Sequence, residues 1–415
     1  MSYLLTWMQN NRVTKGIYKT AKAIANIGSF SIEDINVIES VKSENKNQRL
    51  NIILPTVNKY KIFGGIATAL NFFDLLGEEM NADMRIIVNR KEKFNKNYSL
   101  QREGYSYNTQ KGKKRVVFLS DTNNVLSVRE KDIFLCTSWD TAYCINRVVK
   151  WKEQVYGNRE KIVYLIQDFE PGFYPWSTQY LLADSTYRNK DIDILALFNS
   201  KYLYDFFIER NYSFYKMLYF EPVLNKKIAK YLIENSSKCK KKKRILIYGR
   251  PGSARNAFTL IEYALKLWSL SYRDAADWEI ISLGETFDDI KLTEHNSIKC
   301  LGKASLEKYS QIMLESYVGI SLMVSPHPSY PPLEMSTFGV KTITNCFENK
   351  DLSSFSENII SLEYCTPEEI SSLLCNICAK YPEKICNIIT SGTYINGNDQ
   401  MKQAARKILD FLGDD

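Results

Sequence analysis

No stretch of the 415-residue sequence approaches the roughly 18 consecutive apolar residues of a membrane span. The first residues also lack the apolar core and small-residue cleavage site of a signal peptide, so the expected location is the cytoplasm. The nine cysteines follow no regular spacing, which excludes a secreted disulfide framework and fits a reducing compartment. Charge of one sign is missing too. Lys and Arg number 55 against 47 Asp and Glu, and the net +8 suits an anionic ligand, an anionic membrane or nucleic acid without choosing among them. What is present is a 45% apolar composition, enough to bury large cores, in a length that predicts two domains.

Residues 1–47 read as an N-terminal helical arm. Tyr3, Leu4, Trp7 and Met8, then Val13, Ile17 and Ala21, recur at helical spacing with Arg12, Lys15, Lys19 and Lys22 between them, a pattern that packs on the protein's own body or lies on a membrane. From residue 48 short apolar strands alternate with helical segments: "LNIILP" at 50–55, a glycine-led helix over 63–80, then strands at 84–89, 115–120, 132–138, 161–168 and 193–200, with helices over 140–155 and 201–211. Strand, loop, helix, strand implies right-handed crossovers and a parallel sheet.

The run "KCKKKKR" at 238–244 reads as a break, after which the rhythm restarts with strands at 245–250, 278–284, 297–302, 318–325 and 340–345 and helices over 257–270, 305–316 and 331–338. The expected organisation is α/β: two Rossmann-like doubly wound domains, 48–237 and 238–394, facing a central cleft, and a C-terminal helix within 395–415 that packs back on the first. In such sheets ligands bind outside the carboxyl ends of the strands.

Three loops of the second domain follow strands and precede helices: Gly249-Arg250-Pro251-Gly252-Ser253-Ala254-Arg255, Gly302-Lys303, and "SPHPSYPPLE" over 325–334. If they converge, Arg250, Lys303 and Arg255 surround the start of a helix beginning near Pro331. That is a phosphate site, because a helix N-terminus has unpaired N–H donors and partial positive charge. Proline suits a first turn, having no N–H to lose. Glu334 either accepts from sugar hydroxyls or pairs with Arg250 or Lys303. In the first domain, Gly64-Gly65 opens a helix and allows either close ligand approach or tight packing. Asp168 at a strand end is the first choice for contact with sugar hydroxyls or the acceptor, and Glu170 the second.

The segment from "ILIYGR" through "LGE" and "LGKASLEKYSQIMLESYVGISLMVSPHPSYPPLEMSTFGVKTITN" resembles the nucleotide-binding domain of family-four GT-B glycosyltransferases, with its Gly-Arg loop, following Lys and terminal Glu. "QDFEPGFYPWSTQYLLADSTY" at 167–187, "LFNSKYL" at 197–203 and the proline-rich stretch are more narrowly similar to the WsaF-type rhamnosyltransferases of bacterial surface-glycan assembly, over roughly residues 48–380. Three positions depart from the wider family. Pro326 stands where its first signature Glu falls, Ser329 where a Gly is usual, and Gln167-Asp168 where it has His-Asp.

The resemblance implies transfer of a deoxysugar, L-rhamnose from dTDP-L-rhamnose, to a growing surface polysaccharide or lipid-linked glycan with retention and without a metal. It implies diphosphate binding by Arg250 and Lys303, ribose contact by Glu334, and Tyr330 near the phosphates or sugar. His327 and Ser329 belong to the same donor loop, beside Gly249 and Gly302. A sugar-nucleotide epimerase of the same architecture and a nucleic-acid binder using the basic run are the alternative readings. The run lacks the interleaved aromatics that stack on bases, so no nucleic-acid partner is expected; it and the N-terminal arm are the two candidates for peripheral membrane contact. Asp191 and Asp193 precede a strand at its wrong end for a metal site, and Cys375 and Cys378 fall in an amphipathic helix where they act as small apolar residues.

Overall fold

The computed structural model describes residues 32–35, 38–59, 62, 64–89, 99, 102–107, 112–381, 387–397 and 399–413. In chain order the first body contains β1 (Glu39–Lys42), β2 (Arg49–Leu54), α1 (Gly64–Met80), β3 (Asp83–Val88), β4 (Ser106–Tyr107), β5 (Lys114–Phe118), β6 (Val125–Val128), β7 (Asp132–Cys136), α2 (Trp139–Tyr156), β8 (Lys161–Ile166), α3 (Thr178–Tyr187), β9 (Asp193–Phe198), α4 (Lys201–Glu209) and β10 (Lys216–Tyr219). Eight strands form one sheet in the order β10-β9-β8-β7-β2-β3-β5-β4, every neighbouring pair parallel. All six residues of β2 are buried, as expected of a strand covered on both faces. One face is covered by Phe72, Phe73 and Leu76 of α1, the other by Ile145, Val148 and Val149 of α2 with Phe207 of α4.

The second body contains α5 (Lys226–Asn235), β11 (Lys242–Gly249), α6 (Phe258–Ser271), β12 (Glu279–Gly284), β13 (Ile290–Lys291), β14 (Ser297–Gly302), α7 (Leu306–Glu315), β15 (Ser316–Ile320), α8 (Tyr330–Thr337), β16 (Lys341–Asn345), β17 (Ile359–Leu362), α9 (Pro367–Cys378) and α10 (Thr393–Asn396), and the chain closes with α11 (Gln400–Gly413). Its seven strands run β13-β14-β12-β11-β15-β16-β17, parallel except for β13 with β14. The chain order reverses between β2 and β7 in the first sheet and between β11 and β15 in the second. Those two switch points define where a ligand sits. α11 returns to the first body, where Ala404, Ala405 and Ile408 join the α1 core and Arg406 lies 3.2 Å from Glu79.

Three expectations need correction. Helix α5, assigned to the first domain by a boundary at 238, packs into the second: Ile228, Ala229 and Leu232 lie with Leu246, Met313 and Phe338. Its apolar stripe finds the second sheet, so the chain changes body before α5. The lysine run is not a break between the domains, because its second half opens β11. Lys242 pairs with Glu315 at 2.8 Å, Lys243 with Asp277 at 2.6 Å, Arg244 with Glu279 and Glu315 at 2.7 and 2.9 Å, and the Lys241 ammonium donates to the carbonyls of Met313 and Phe338. Charges adjacent in sequence are paired with acids that the sheet brings alongside, while Lys238 and Lys240 stay exposed. The helical reading of 1–47 also fails at Glu39–Lys42, which pairs as a strand with β6. The arm's membrane contact, placed on residues before 31, lies outside the described residues. Among the described residues no helix is long and apolar enough to cross a membrane.

Candidate active site

The two switch points face one another across a cavity of about 630 Å³. Gly64 and Gly65 at the start of α1, Thr137 after β7, Gln167, Asp168, Glu170 and Phe173 after β8, and Asn199 after β9 line it from the first body. Tyr248 and Arg250 of the β11 end, Gly284 at the end of β12, Lys303 after β14, Tyr309 of α7, and His327, Ser329, Tyr330 and Pro331 at the start of α8 line it from the second. The three loops singled out in the sequence therefore converge. Among the described residues no carboxylate forms an ion pair with Arg250, which leaves its guanidinium to the cavity.

The start of α8 explains the proline cluster. Pro331 and Pro332 occupy its first turn, buried, where neither forfeits a helical hydrogen bond. Ser329 at the N-cap has φ +65° and ψ 143°, close to a region essentially reserved to glycine. It is held there by its own backbone N–H, which donates to His327 Nδ1 at 3.0 Å. That bond puts the imidazole proton on Nε2, a buried donor with no partner inside the protein. Burial also lowers the His327 pKa to about 4, so at neutral pH this residue is an uncharged N–H donor.

Glu334 pairs with neither Arg250 nor Lys303. It accepts from the Tyr309 hydroxyl at 2.8 Å, and burial raises its pKa to about 7. It does not itself line the cavity, but its partner Tyr309 does. Gly249 and Gly302 do not line the cavity. A Cβ at Gly249 would fall 2.1 Å from Ser282 Oγ, so packing alone demands glycine there, and Gly302 at φ +61° would set one 2.6 Å from Thr286 Oγ1. At Gly65 a Cβ would come 3.0 Å from Gln167 Oε1, on the cavity wall, so both packing and close approach apply.

Asp168 and Arg255 differ from expectation. The Arg255 guanidinium lies 3.6 Å from the Asp168 carboxylate and over the Phe173 ring, 4.0 Å from its centroid, and Ser325 Oγ also donates to Asp168. The two residues join the bodies across the cleft instead of standing free on opposite walls. Glu170 caps α2, accepting from the Trp139 N–H at 2.5 Å, with the Tyr187 and Tyr164 hydroxyls at 3.4 and 3.5 Å. Burial outweighs the cap and raises its pKa to about 8.

Several cavity residues escaped sequence reasoning. Gln167 Oε1 and Asn199 Oδ1 are buried acceptors with no partner inside the protein, and both face a cavity they line. The signal was present, since both fall in the quoted motifs, but an isolated amide carries no periodicity. Lys350, almost fully buried, donates to the Met323 carbonyl at 2.6 Å, and burial lowers its pKa to about 8. With Asn345, which bonds Met323 on both backbone groups, it fixes the loop after β15. Nothing in "ENKD" signals this.

The discounted groups lie elsewhere. Asp191 pairs with Lys150 and Asp193 with Arg159 at the opposite end of β9, and Cys378 packs in the core of the second body. Among the described residues no three His, Cys, Asp or Glu side chains gather as a metal site.

The WsaF N-terminal domain family matches residues 49–201 and the WsaF C-terminal domain family residues 243–375, together well over half the chain. The O-antigen biosynthesis protein RfbC of Myxococcus xanthus is 29% identical over 233 residues, 56% of this chain, and the match spans only 17% of that relative's length. Among solved structures, sucrose-phosphate synthase from Thermosynechococcus elongatus superposes with TM-score 0.52 at 11% identity, covering 88% of this chain and 94% of that one. WaaG, a glycosyltransferase involved in lipopolysaccharide biosynthesis, gives 0.51 at 10% identity, covering 88% and 100%. At such identities the likeness concerns the fold, which is the one built above from two facing Rossmann-like bodies. With both domain families matched in order, the chain belongs to the WsaF family, and it has the two-body fold of the GT-B glycosyltransferases on which it superposes.

Proposed function

We propose that this protein transfers L-rhamnose from dTDP-L-rhamnose to a growing surface polysaccharide or lipid-linked glycan of the O-antigen type, with retention of configuration, in the cytoplasm. The observation that carries the reading is the convergence of Arg250, Lys303 and the α8 N-terminus on one wall of a cavity whose other wall offers hydrogen-bonding side chains. A nucleoside diphosphate is the leaving group, and its developing negative charge meets two cations and a helix start already in position. Glu334, oriented by Tyr309, accepts from the ribose 3′-hydroxyl. The sugar lies toward Gln167, Asn199 and the His327 N–H.

Transfer breaks the bond from the anomeric carbon to the β-phosphate oxygen and forms one to the acceptor oxygen on the same face. The acceptor's proton passes to the departing phosphate oxygen, so no strong protein base is required. This assignment suits a site in which Asp168 is engaged by Arg255 and Ser325 and His327 Nε2 already carries its proton. In this reading charge neutralisation comes from side chains, without a metal. The test is transfer from dTDP-L-rhamnose to a rhamnoside acceptor, with the anomeric configuration of the product read by NMR. A product with the donor's configuration supports the reading; an inverted product overturns retention, and conversion of donor without acceptor indicates an epimerase.

A further inference from the structure

Next to the cleft the surface carries an aromatic patch that the reaction above leaves unused. Trp176 is 96% exposed, its ring parallel to that of Tyr180 with centroids 5.9 Å apart, and Leu181 and Phe173 of the same segment are exposed too. An open tryptophan is not the mark of a slack loop here. The segment is pinned from beneath, where Trp139 Nε1 donates to the Tyr174 hydroxyl at 2.9 Å and the two rings meet edge to face. Ser177 caps α3 by accepting from the Tyr180 N–H. Pro171 and Pro175 stiffen the approach. Exposed apolar surface held in fixed geometry marks an interaction site.

The segment that carries the patch begins at the cleft, since Phe173, three residues before Trp176, lines the cavity. Resting on the function proposed above, we infer that Trp176 and Tyr180 form a stacking platform for a pyranose ring of the glycan acceptor, outside the bond-forming site. The C–H face of a sugar is weakly positive and apolar and matches the negative face of an indole or phenol ring. Charge argues against a bilayer as the occupant. α3 carries a single charged side chain, the acidic Asp184, and no basic residue in its last turn, whereas attachment to anionic lipid draws on clustered Lys and Arg.

The experiment compares the full chain with Trp176→Ala and Trp176→Phe. Transfer from saturating dTDP-L-rhamnose to the octyl glycoside of a rhamnose disaccharide is expected to show an acceptor KM raised about tenfold in Trp176→Ala, the equivalent of roughly 1.4 kcal/mol. The expected kcat is within about twofold of the parent and the dTDP-induced thermal shift is unchanged, with Trp176→Phe recovering most of the loss. Because Trp176 is almost wholly exposed, the substitutions leave the fold intact. An unchanged acceptor KM overturns the platform while the transferase reading stands. Loss of co-sedimentation with equimolar phosphatidylcholine and phosphatidylglycerol vesicles, with KM unchanged, overturns it in favour of a lipid contact. If the parent shows neither transfer nor a dTDP shift, the transferase reading has failed. The platform is then judged by saturation-transfer NMR with the methyl glycoside of the same disaccharide: signal lost in Trp176→Ala supports it, and no signal in the parent overturns it.

Discussion

At the scale of the residue, Glu334 shows what burial does to a binding group. Its carboxyl is held up at about 7 with Tyr309 as hydrogen-bond donor, so near neutral pH it exchanges between a neutral and a charged acceptor. A hydrogen bond to a charged group is worth about 1 kcal/mol more than to a neutral one, and with this carboxyl only partly ionised at both ends of the range, dTDP affinity should rise about threefold from pH 6 to pH 8 through this group. Calorimetric titration of Glu334→Gln across that range should retain only the change due to the nucleotide's own phosphate. An equal pH dependence in parent and variant removes Glu334 from the ribose. Stability moves the other way. The folded pKa lies above the usual 4.5, the native state holds the proton more tightly, and this contribution is full below pH 4.5 and is lost as pH rises through about 7. His327 has the opposite displacement, toward about 4, and stays neutral throughout.

At the scale of the element, α8 is a short helix whose start is over-determined. Two prolines fix its first turn, and the His327 imidazole holds Ser329 at a positive φ that a side-chain-bearing residue adopts at a cost of about 1–3 kcal/mol. Replacing Ser329 with glycine removes that strain and adds about 0.4–1 kcal/mol of unfolded-chain entropy. Ser329→Gly should therefore stabilise the protein by about 1 kcal/mol in a urea melt. A loss of stability would mean that the buried serine side chain contributes more than its backbone costs.

The same element shows how far the sequence could be read. The prolines and the helix start were legible because Pro has one sensible place in a helix. β2, β8 and β9 were legible because six-residue strands made mostly of apolar residues and buried on both faces are unmistakable. β10 and β17, four residues each and only partly buried, carry too little pattern to see. The lysine run misled because its partners Glu279 and Glu315 come from distant segments, and the attachment of α5 depends on which sheet its stripe meets. At the site, the loops bearing Arg250 and Lys303 were visible, whereas the Asp168 to Arg255 link exists only once two bodies close on each other.

At the scale of the whole molecule, two parallel sheets present their switch points to one cavity. The cations Arg250 and Lys303 lie on the second body with the open His327 Nε2, and the open amide oxygens of Gln167 and Asn199 lie on the first. The contacts between the bodies are both apolar and polar, and Tyr202 packs against the cluster of Leu333 and Leu352. Arg255 reaches Asp168, Tyr202 donates to the Asp351 carbonyl at 2.6 Å, and Arg210 pairs with Glu348 at 2.6 Å. α11 crosses back to the first body and so ties the chain's end to its beginning. In the function proposed above, nucleotide recognition is a property of the second body, to which the first adds contacts to the sugar and the acceptor.

The measurement that tests this most directly is a thermal-shift comparison with dTDP, UDP, GDP and a short oligonucleotide, on the parent and on Arg250→Ala and Lys303→Ala. A nucleotide at about 100 times its dissociation constant adds roughly 2.7 kcal/mol of stability, enough to read plainly. The account predicts a shift with dTDP, none with the oligonucleotide, and loss of the dTDP shift in both variants. Stabilisation by no nucleoside diphosphate, or a dTDP shift that survives both substitutions, would contradict it.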